Sequence, residues 1–127
     1  MGHGAPTGGE RGPMSVETVA RIAQTLQALG TTSRLRILLR LREGPCPVGE
    51  LAVAVDMEQS AVSHQLRLLR HLGLVARARE GRHVAYLLHD DHVASLLDEA
   101  VHHAEHLRLG LDDREPAATA PDPITTA

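Results

Sequence analysis

The sequence contains no lysine, no tryptophan, no phenylalanine and a single tyrosine among its 127 residues. Without large aromatic side chains, the core has to be built from Leu, Val, Ile and Ala. A small aliphatic core gains considerable stability from a partner subunit. The scarcity of aromatic residues therefore favours an oligomer.

Cysteine and long apolar runs are also scarce. The single cysteine, Cys46, excludes a disulfide within the chain, fits a reducing compartment and is interpreted as a bystander. No apolar run approaches the roughly 18 residues that a membrane-spanning helix needs, and the N-terminus has no secretory apolar segment. We therefore expect a soluble, cytoplasmic protein of one domain with no membrane partner.

The net charge of −3 is distributed unevenly along the chain. Residues 30–85 hold nine arginines against five acidic residues, whereas residues 86–127 hold two arginines against nine acidic residues. A basic middle followed by an acidic end indicates a local contact with a polyanion. An ordinary mixed surface is the alternative interpretation of the charge alone.

Apolar residues at helical spacing predict five helices, with two strands between the fourth and the last. The first predicted helix is capped by Ser15 and ended by Gly30, and the second covers 34–42 with Thr32 or Ser33 as its cap. A short third helix covers 50–55. The fourth runs from Ser60 as its cap to about Leu72, and the last covers 91–109. The predicted strands are 74–79 and 83–88.

The predicted order α-α-α-α-β-β-α is typical of a winged helix-turn-helix, a mainly α fold with a β-hairpin wing. Residues 15–110 are expected to form this domain. The Gly- and Pro-rich residues 1–14 are expected to form a flexible arm, and residues 111–127 a disordered acidic tail.

The fourth helix carries short polar and guanidinium side chains on the face opposite its apolar residues, as a helix that reads the major groove does. Arginines near the tip of the hairpin would add contacts to phosphates. A solvated polar face is the alternative. The residues predicted to contact double-stranded DNA are Gln59, Ser60, Ser63, His64, Gln65, Arg67, Arg77, Arg79 and Arg82.

Four residues near the C-terminal end have the spacing D-x-H-x10-H-x2-H: Asp90, His92, His103 and His106. Carboxylate and imidazole together suit a divalent ion such as Zn, Ni or Co. Within one helix, eleven residues place His92 about 16 Å from His103, too far to share an ion. Two antiparallel copies of the helix bring the two ends together, so the spacing predicts both a metal site and a homodimer. Surface histidines without a special role are the alternative.

Several stretches of the chain, covering about residues 16–110, resemble the ArsR/SmtB family of metal-sensing winged-helix regulators. These are TTSRLRILLRL, MEQSAVSHQLRLLRHLGLV, EGRHVAYLL and DDHVASLLDEAVHHAEHL. The resemblance implies a dimer that binds operator DNA without metal and releases it when an ion binds. Many relatives carry a thiolate site in the helix before the turn. Here that stretch, residues 50–56, has no cysteine, so a site for soft metals is not expected.

Within the family, the chain most resembles the NmtR-type branch that senses nickel and cobalt. This likeness adds the Gly2 amine and the His3 imidazole as further ligands, whereas Glu115 stands where that branch has been linked to a tail histidine. Up to six N and O donors favour Ni(II) or Co(II), and the four helix ligands alone would satisfy Zn(II).

The prediction is a metal-responsive repressor released from operator DNA by Ni(II) or Co(II). The alternatives are a zinc-responsive regulator of the same fold and a winged-helix regulator that does not sense metal. An enzyme or a metal-buffering protein is disfavoured, because the sequence shows no nucleophile–base pair, phosphate loop or open three-ligand catalytic set. No small organic substrate is expected.

Overall fold

A computed structural model describes residues 12–110. Its elements are α1 (Val16–Leu29), α2 (Thr32–Arg42), α3 (Val48–Val55), α4 (Gln59–His71), β1 (Val75–Glu80), β2 (His83–Leu88) and α5 (Asp91–Arg108). The predicted order of helices and strands is confirmed. The chain divides between His89 and Asp90 into two compact units.

Helix α1 begins where the sequence predicts. The Ser15 side chain accepts a hydrogen bond from the Thr18 amide over 3.1 Å, so Ser15 is the N-cap. This bond satisfies one of the backbone donors that a helix start leaves open.

The predicted caps of α2 and α4 were wrong, and no cap was predicted for α3. The N-caps are Thr31 for α2, Pro47 for α3 and Glu58 for α4, and none of them makes a side-chain cap hydrogen bond. Ser60 is therefore the second residue of α4 and not its cap. Each of these helices begins two residues before its predicted first residue, and no side-chain cap bond marks the start.

The turn between α3 and α4 depends on a left-handed residue. Asp56, at φ 56°, ends α3, and aspartate is one of the few residues other than glycine that adopts this conformation readily. After α4, Leu72 is the C-cap and Gly73, at φ 76°, is the left-handed residue that follows it. The two helices of the helix-turn-helix thus have sharply defined ends.

The core of the first unit is aliphatic, as predicted, and runs from α2 to the start of the hairpin. Its buried side chains are Ile37, Leu38, Leu41, Cys46, Leu51, Ala52, Val55, Val62, Leu66, Leu69, Leu74 and Val75. Helices α2, α3 and α4 each contribute residues three or four positions apart, so each of these three buries one face.

The strands pair antiparallel, with Val75 opposite Leu88 and Glu80 opposite His83. Gly81 occupies the turn at φ 65°, which glycine adopts without strain. The backbones of Cys46 and Tyr86 exchange hydrogen bonds of 2.9 and 2.8 Å, which tie the loop before α3 to β2. The hairpin is thereby held to the helical body at Tyr86 of β2.

Helix α1 leaves most of its apolar residues exposed. Val16, Val19, Ile22 and Leu26 are 81%, 52%, 42% and 53% exposed, and the buried residue of the helix is Ala28. The exposed residues recur at three- and four-residue steps and share one face. This face, Val16, Val19, Ile22 and Leu26, is called the α1 stripe below.

In α5 burial changes along the helix. Val93 and Leu97 in its first half are buried, whereas Val101 and Leu107 are 45% and 63% exposed. The helix ends at Arg108, one residue before the predicted end. Between residues 12 and 110, no helix is both long and apolar enough to cross a membrane.

Candidate DNA-binding and metal sites

Helix α4 separates an apolar face from a polar one. Val62, Leu66 and Leu69 are buried. Among the predicted DNA contacts of α4, Ser60, His64 and Arg67 lie exposed on the face opposite Val62. Gln59, in the first turn, is also exposed, and Ser63 is half-buried. This is the distribution that a helix needs if its polar face enters the major groove.

Gln65 differs from the other predicted DNA contacts. It is half-buried, and five residues at 100° per residue place it about 140° round the helix from Ser60. Its side-chain oxygen accepts a hydrogen bond of 2.9 Å from Nε of Arg34 in the first turn of α2. Gln65 thus lies at the flank of α4, where it meets α2.

A cleft of about 580 Å³ lies between the end of α4 and the hairpin. It is lined by Arg67, Arg70, His71, Val75, Ala76, Arg77 and His89. Three arginines line it, and none of its lining residues between positions 12 and 110 carries a carboxylate, so the balance of charge around it favours a phosphate. The structure therefore brings Arg67 of α4 and Arg77 of β1 to one place.

The remaining predicted wing residues stand apart from this cleft. Arg79 and Arg82 are exposed, towards and at the tip of the hairpin, and neither lines the cleft.

The predicted DNA-contacting residues did not include Arg34, His71 or His89. His71 follows Arg67 by four residues, so helical spacing offered a signal for it. For Arg34 and His89 no sequence signal existed, because tertiary packing brings them to α4.

Asp90 serves as the N-cap of α5. Its Oδ1 accepts from the Val93 amide over 3.1 Å, and its Oδ2 lies 3.6 Å from Nδ1 of His92. Two donors at about 2.1 Å from one ion, at the tetrahedral angle, are about 3.4 Å apart. The Asp90 and His92 pair therefore fits one ion, with the cap bond orienting the carboxylate as ligating groups require. The His92 side chain is 97% exposed and accessible to a ligand.

His103 and His106 lie in the last turns of the same helix. Three residues apart, they share a face, and the eleven residues between His92 and His103 correspond to about 16 Å. Among residues 12–110, no three His, Cys, Asp or Glu side chains come close enough within one chain to hold an ion. The ring of His106 lies 6.2 Å from that of His102, measured between centroids.

Two further predicted ligands, Gly2 and His3, lie outside the described residues, as does Glu115.

Cys46 is fully buried in the loop between α2 and α3. Burial raises the pKa of its thiol above the ordinary value of 9.0; the nearby Arg40 opposes this, while Glu50 and Glu43 add to it. A buried, protonated thiol is a poor metal ligand and nucleophile.

The family model described as "Bacterial regulatory protein, arsR family" matches residues 31–77. The HTH-type transcriptional regulator NmtR of Mycobacterium tuberculosis is 59% identical over 120 residues, which cover 93% of this chain and 99% of NmtR.

Solved structures agree with this match. The solution structure of apo-NmtR has a TM-score of 0.67 at 57% identity and covers 93% of this chain and 96% of that one. A homodimeric winged helix-turn-helix DNA-binding domain from Mycobacterium bovis has a TM-score of 0.67 at 30% identity, over 73% of this chain and 89% of that one. The cadmium metal-sensor CMTR from Mycobacterium tuberculosis has a TM-score of 0.54 at 42% identity, over 63% and 80%.

The fold and these matches define a winged helix-turn-helix transcriptional regulator, and the chain belongs to the ArsR family of bacterial regulators. The predictions of family, fold and regulatory function are confirmed at this level. The protein is a DNA-binding regulator and not an enzyme, because its family and its relatives are regulators.

Proposed function

We propose that the protein is a homodimeric repressor that binds operator DNA without metal and is released by Ni(II) or Co(II). The observation that carries this proposal is the division of ligands along α5. One end of the helix offers a carboxylate and an imidazole 3.6 Å apart, and the other end offers two imidazoles three residues apart.

The DNA-binding part of the proposal assigns α4 to the major groove. Ser60, Ser63 and His64 reach base edges, and the cleft holding Arg67 and Arg77 takes a backbone phosphate. Arg79 and Arg82 at the wing add phosphate contacts farther along the duplex. A protein that binds operator DNA works where the bacterial chromosome lies, so we assign it to the cytoplasm.

The dimer is supported by the α1 stripe. Four large apolar side chains on one face, each at least 42% exposed, form a patch of the kind that marks a protein–protein interface. A homodimeric DNA-binding domain of the same fold supports the same assembly. Two-fold symmetry would place two α4 helices on successive major grooves.

Asp90 and His92 of one protomer, with His103 and His106 of the partner subunit, would hold each ion. This donor set fits Zn(II) as well as Ni(II) and Co(II). The preference for nickel or cobalt rests on Gly2 and His3, which would raise the number of N and O donors above four. Zinc is the second candidate.

Release follows from coupling between the two sites. A bound ion would hold the ends of two α5 helices together and so favour one geometry of the dimer. Operator DNA would favour a different geometry, in which the spacing of the two α4 helices matches the duplex. A coupling of about 1–3 kcal/mol weakens DNA binding by about 5- to 150-fold, and the operator weakens metal binding by the same factor.

The test is a titration of the full-length protein on a fluorescent operator duplex with Ni(II), Co(II) and Zn(II), followed by anisotropy. For the wild type, we expect metal to lower DNA affinity within this range. Metal should have no such effect on His103→Ala and should have the full effect on the control His102→Ala. An operator affinity unchanged by all three ions would contradict metal sensing. A response to zinc alone, unchanged by His3→Ala, would exclude nickel and cobalt.

A further inference from the structure

Arg34 is a half-buried cation whose hydrogen-bond partner is the neutral amide of Gln65. Its Nε donates to the Gln65 oxygen over 2.9 Å, and among residues 12–110 no carboxylate pairs with it. A guanidinium that loses part of its water shell is stabilised mainly by an anion. Among residues 12–110, the charge of Arg34 therefore meets an amide dipole but no carboxylate in a salt bridge.

The hydrogen bond fixes the orientation of both groups. A guanidinium carries only donors, so the amide atom that faces Arg34 must be the oxygen. With Nε engaged, the edge formed by Nη1 and Nη2 is left with two parallel donors. That fork matches the spacing of two oxygens on one phosphate.

The surroundings place this fork beside the DNA-reading surface. Gln65 follows His64 directly, and Arg34 meets the flank of α4 from the first turn of α2. A group bound there would lie next to the bases that α4 reads, and not among them, because Gln65 is turned about 140° from Ser60.

We propose that Arg34 is a phosphate-binding residue for operator DNA, held in position by Gln65. This rests on the proposed function and extends the DNA interface to α2. In this role Gln65 is a positioning residue and reads no base. Arg34 adds affinity at all sequences and little base preference, as a backbone contact does.

The variants separate this role from a structural one. Arg34→Ala removes the cation. Gln65→Glu keeps a partner for Arg34 but supplies a carboxylate that competes with phosphate, so it should also weaken DNA binding. If the bond between Arg34 and Gln65 only holds α2 and α4 together, Gln65→Glu should leave DNA binding intact, because an ion pair would hold the two helices at least as well. Arg36→Ala is the matched control, since Arg36 is exposed and lies about 200° round α2 from Arg34.

The probe is a duplex that the metal-free, full-length wild type selects from a pool of randomised DNA. Affinity is measured against salt concentration for each variant, with thermal unfolding as the check on folding. We expect Arg34→Ala to weaken binding about tenfold. It should also reduce the slope of log affinity against log salt by about one per protomer. Gln65→Glu should reproduce most of this loss, and Arg36→Ala should show much less of it.

A second arm identifies the contacted group. Methylphosphonates, which lack the phosphate charge, are placed singly along the selected duplex. One substitution per half-site should weaken the wild type and leave Arg34→Ala unaffected, and changes of neighbouring base pairs should affect both proteins equally.

Equal behaviour of Arg34→Ala and Arg36→Ala, or full binding by Gln65→Glu, would overturn the assignment. A change in base preference on losing Arg34 would overturn it as well. Failure of the wild type to enrich any duplex would overturn DNA binding itself, so the two failures are distinguishable.

Discussion

The segment from α2 to β2 and the helix α1 bury their apolar side chains to very different extents. In the former, residues such as Leu51 and Leu66 are 0% and 1% exposed, whereas the α1 stripe is 42–81% exposed. Helix α5 shows both behaviours, with Leu97 at 1% and Leu107 at 63%. The region that carries the DNA-contacting residues is thus packed within one chain. The stripe stays exposed in one chain, and the proposed metal ligands at the two ends of α5 would need a second chain to share an ion.

The strongest test of this comparison is the core beneath α4. Leu66→Ala should lower the free energy of unfolding by about 2–5 kcal/mol, because it removes a buried side chain and leaves a cavity. Val53→Ala, at a position 81% exposed, should change it by less than about 0.5 kcal/mol. Urea denaturation at a fixed protein concentration measures both. Equal effects of the two substitutions would show that α4 is not packed as described.

A smaller effect is expected at the α1 stripe. Ile22→Glu should raise the dimer dissociation constant about 10- to 100-fold, since burying such a side chain contributes about 1.5–3 kcal/mol. Gln24→Glu adds the same charge about 200° round the helix and should leave the constant nearly unchanged. Sedimentation equilibrium over a range of concentrations gives both values. If Ile22→Glu associates like the wild type, the stripe does not form the dimer contact.

Asp90 has two proposed roles that substitution can separate. Asparagine is as good an N-cap as aspartate, so Asp90→Asn should retain thermal stability, whereas Asp90→Ala should lose about 0.5–2 kcal/mol. Both lack the carboxylate, and both should lose the response of operator binding to metal. A normal metal response in Asp90→Asn would mean that Asp90 is only a cap.

The smallest expected effect concerns pH and Cys46. Burial raises the pKa of this thiol above its ordinary value of 9.0, so the unfolded chain loses the proton first as pH rises. Stability from the buried thiol is therefore complete below pH 9 and decreases as pH rises beyond it. Urea denaturation at pH 8 and pH 10 gives the free energy of unfolding of the wild type and of Cys46→Ala. Between these pH values, this free energy should decrease less for Cys46→Ala than for the wild type. Parallel declines would assign the pH dependence to other groups.

Periodicity predicted every helix and both strands, because the apolar residues of each element recur at the spacing of its own geometry, whether that face is buried, as in α4, or exposed, as in α1. Helix starts were predicted where a side chain makes the cap, as at Ser15, and missed where none does, as at Glu58. The cap role of Asp90 was also missed, since its spacing to His92 pointed to a ligand. The bond between Arg34 and Gln65 joins residues 31 positions apart and depends on packing that no local pattern encodes.

The central claim is that each metal site is shared between two subunits, and complementation tests it most directly. His92→Ala and His103→Ala are each expected to lose high-affinity nickel binding as homodimers. The heterodimer of the two variants is isolated with a different tag on each chain. One of its two sites is then complete, because the His103→Ala chain supplies His92 and the His92→Ala chain supplies His103. We expect about one ion per heterodimer, against about two per wild-type dimer, because two-fold symmetry gives the wild type two equivalent sites. Calorimetric titration that finds no restored binding in the heterodimer would contradict it.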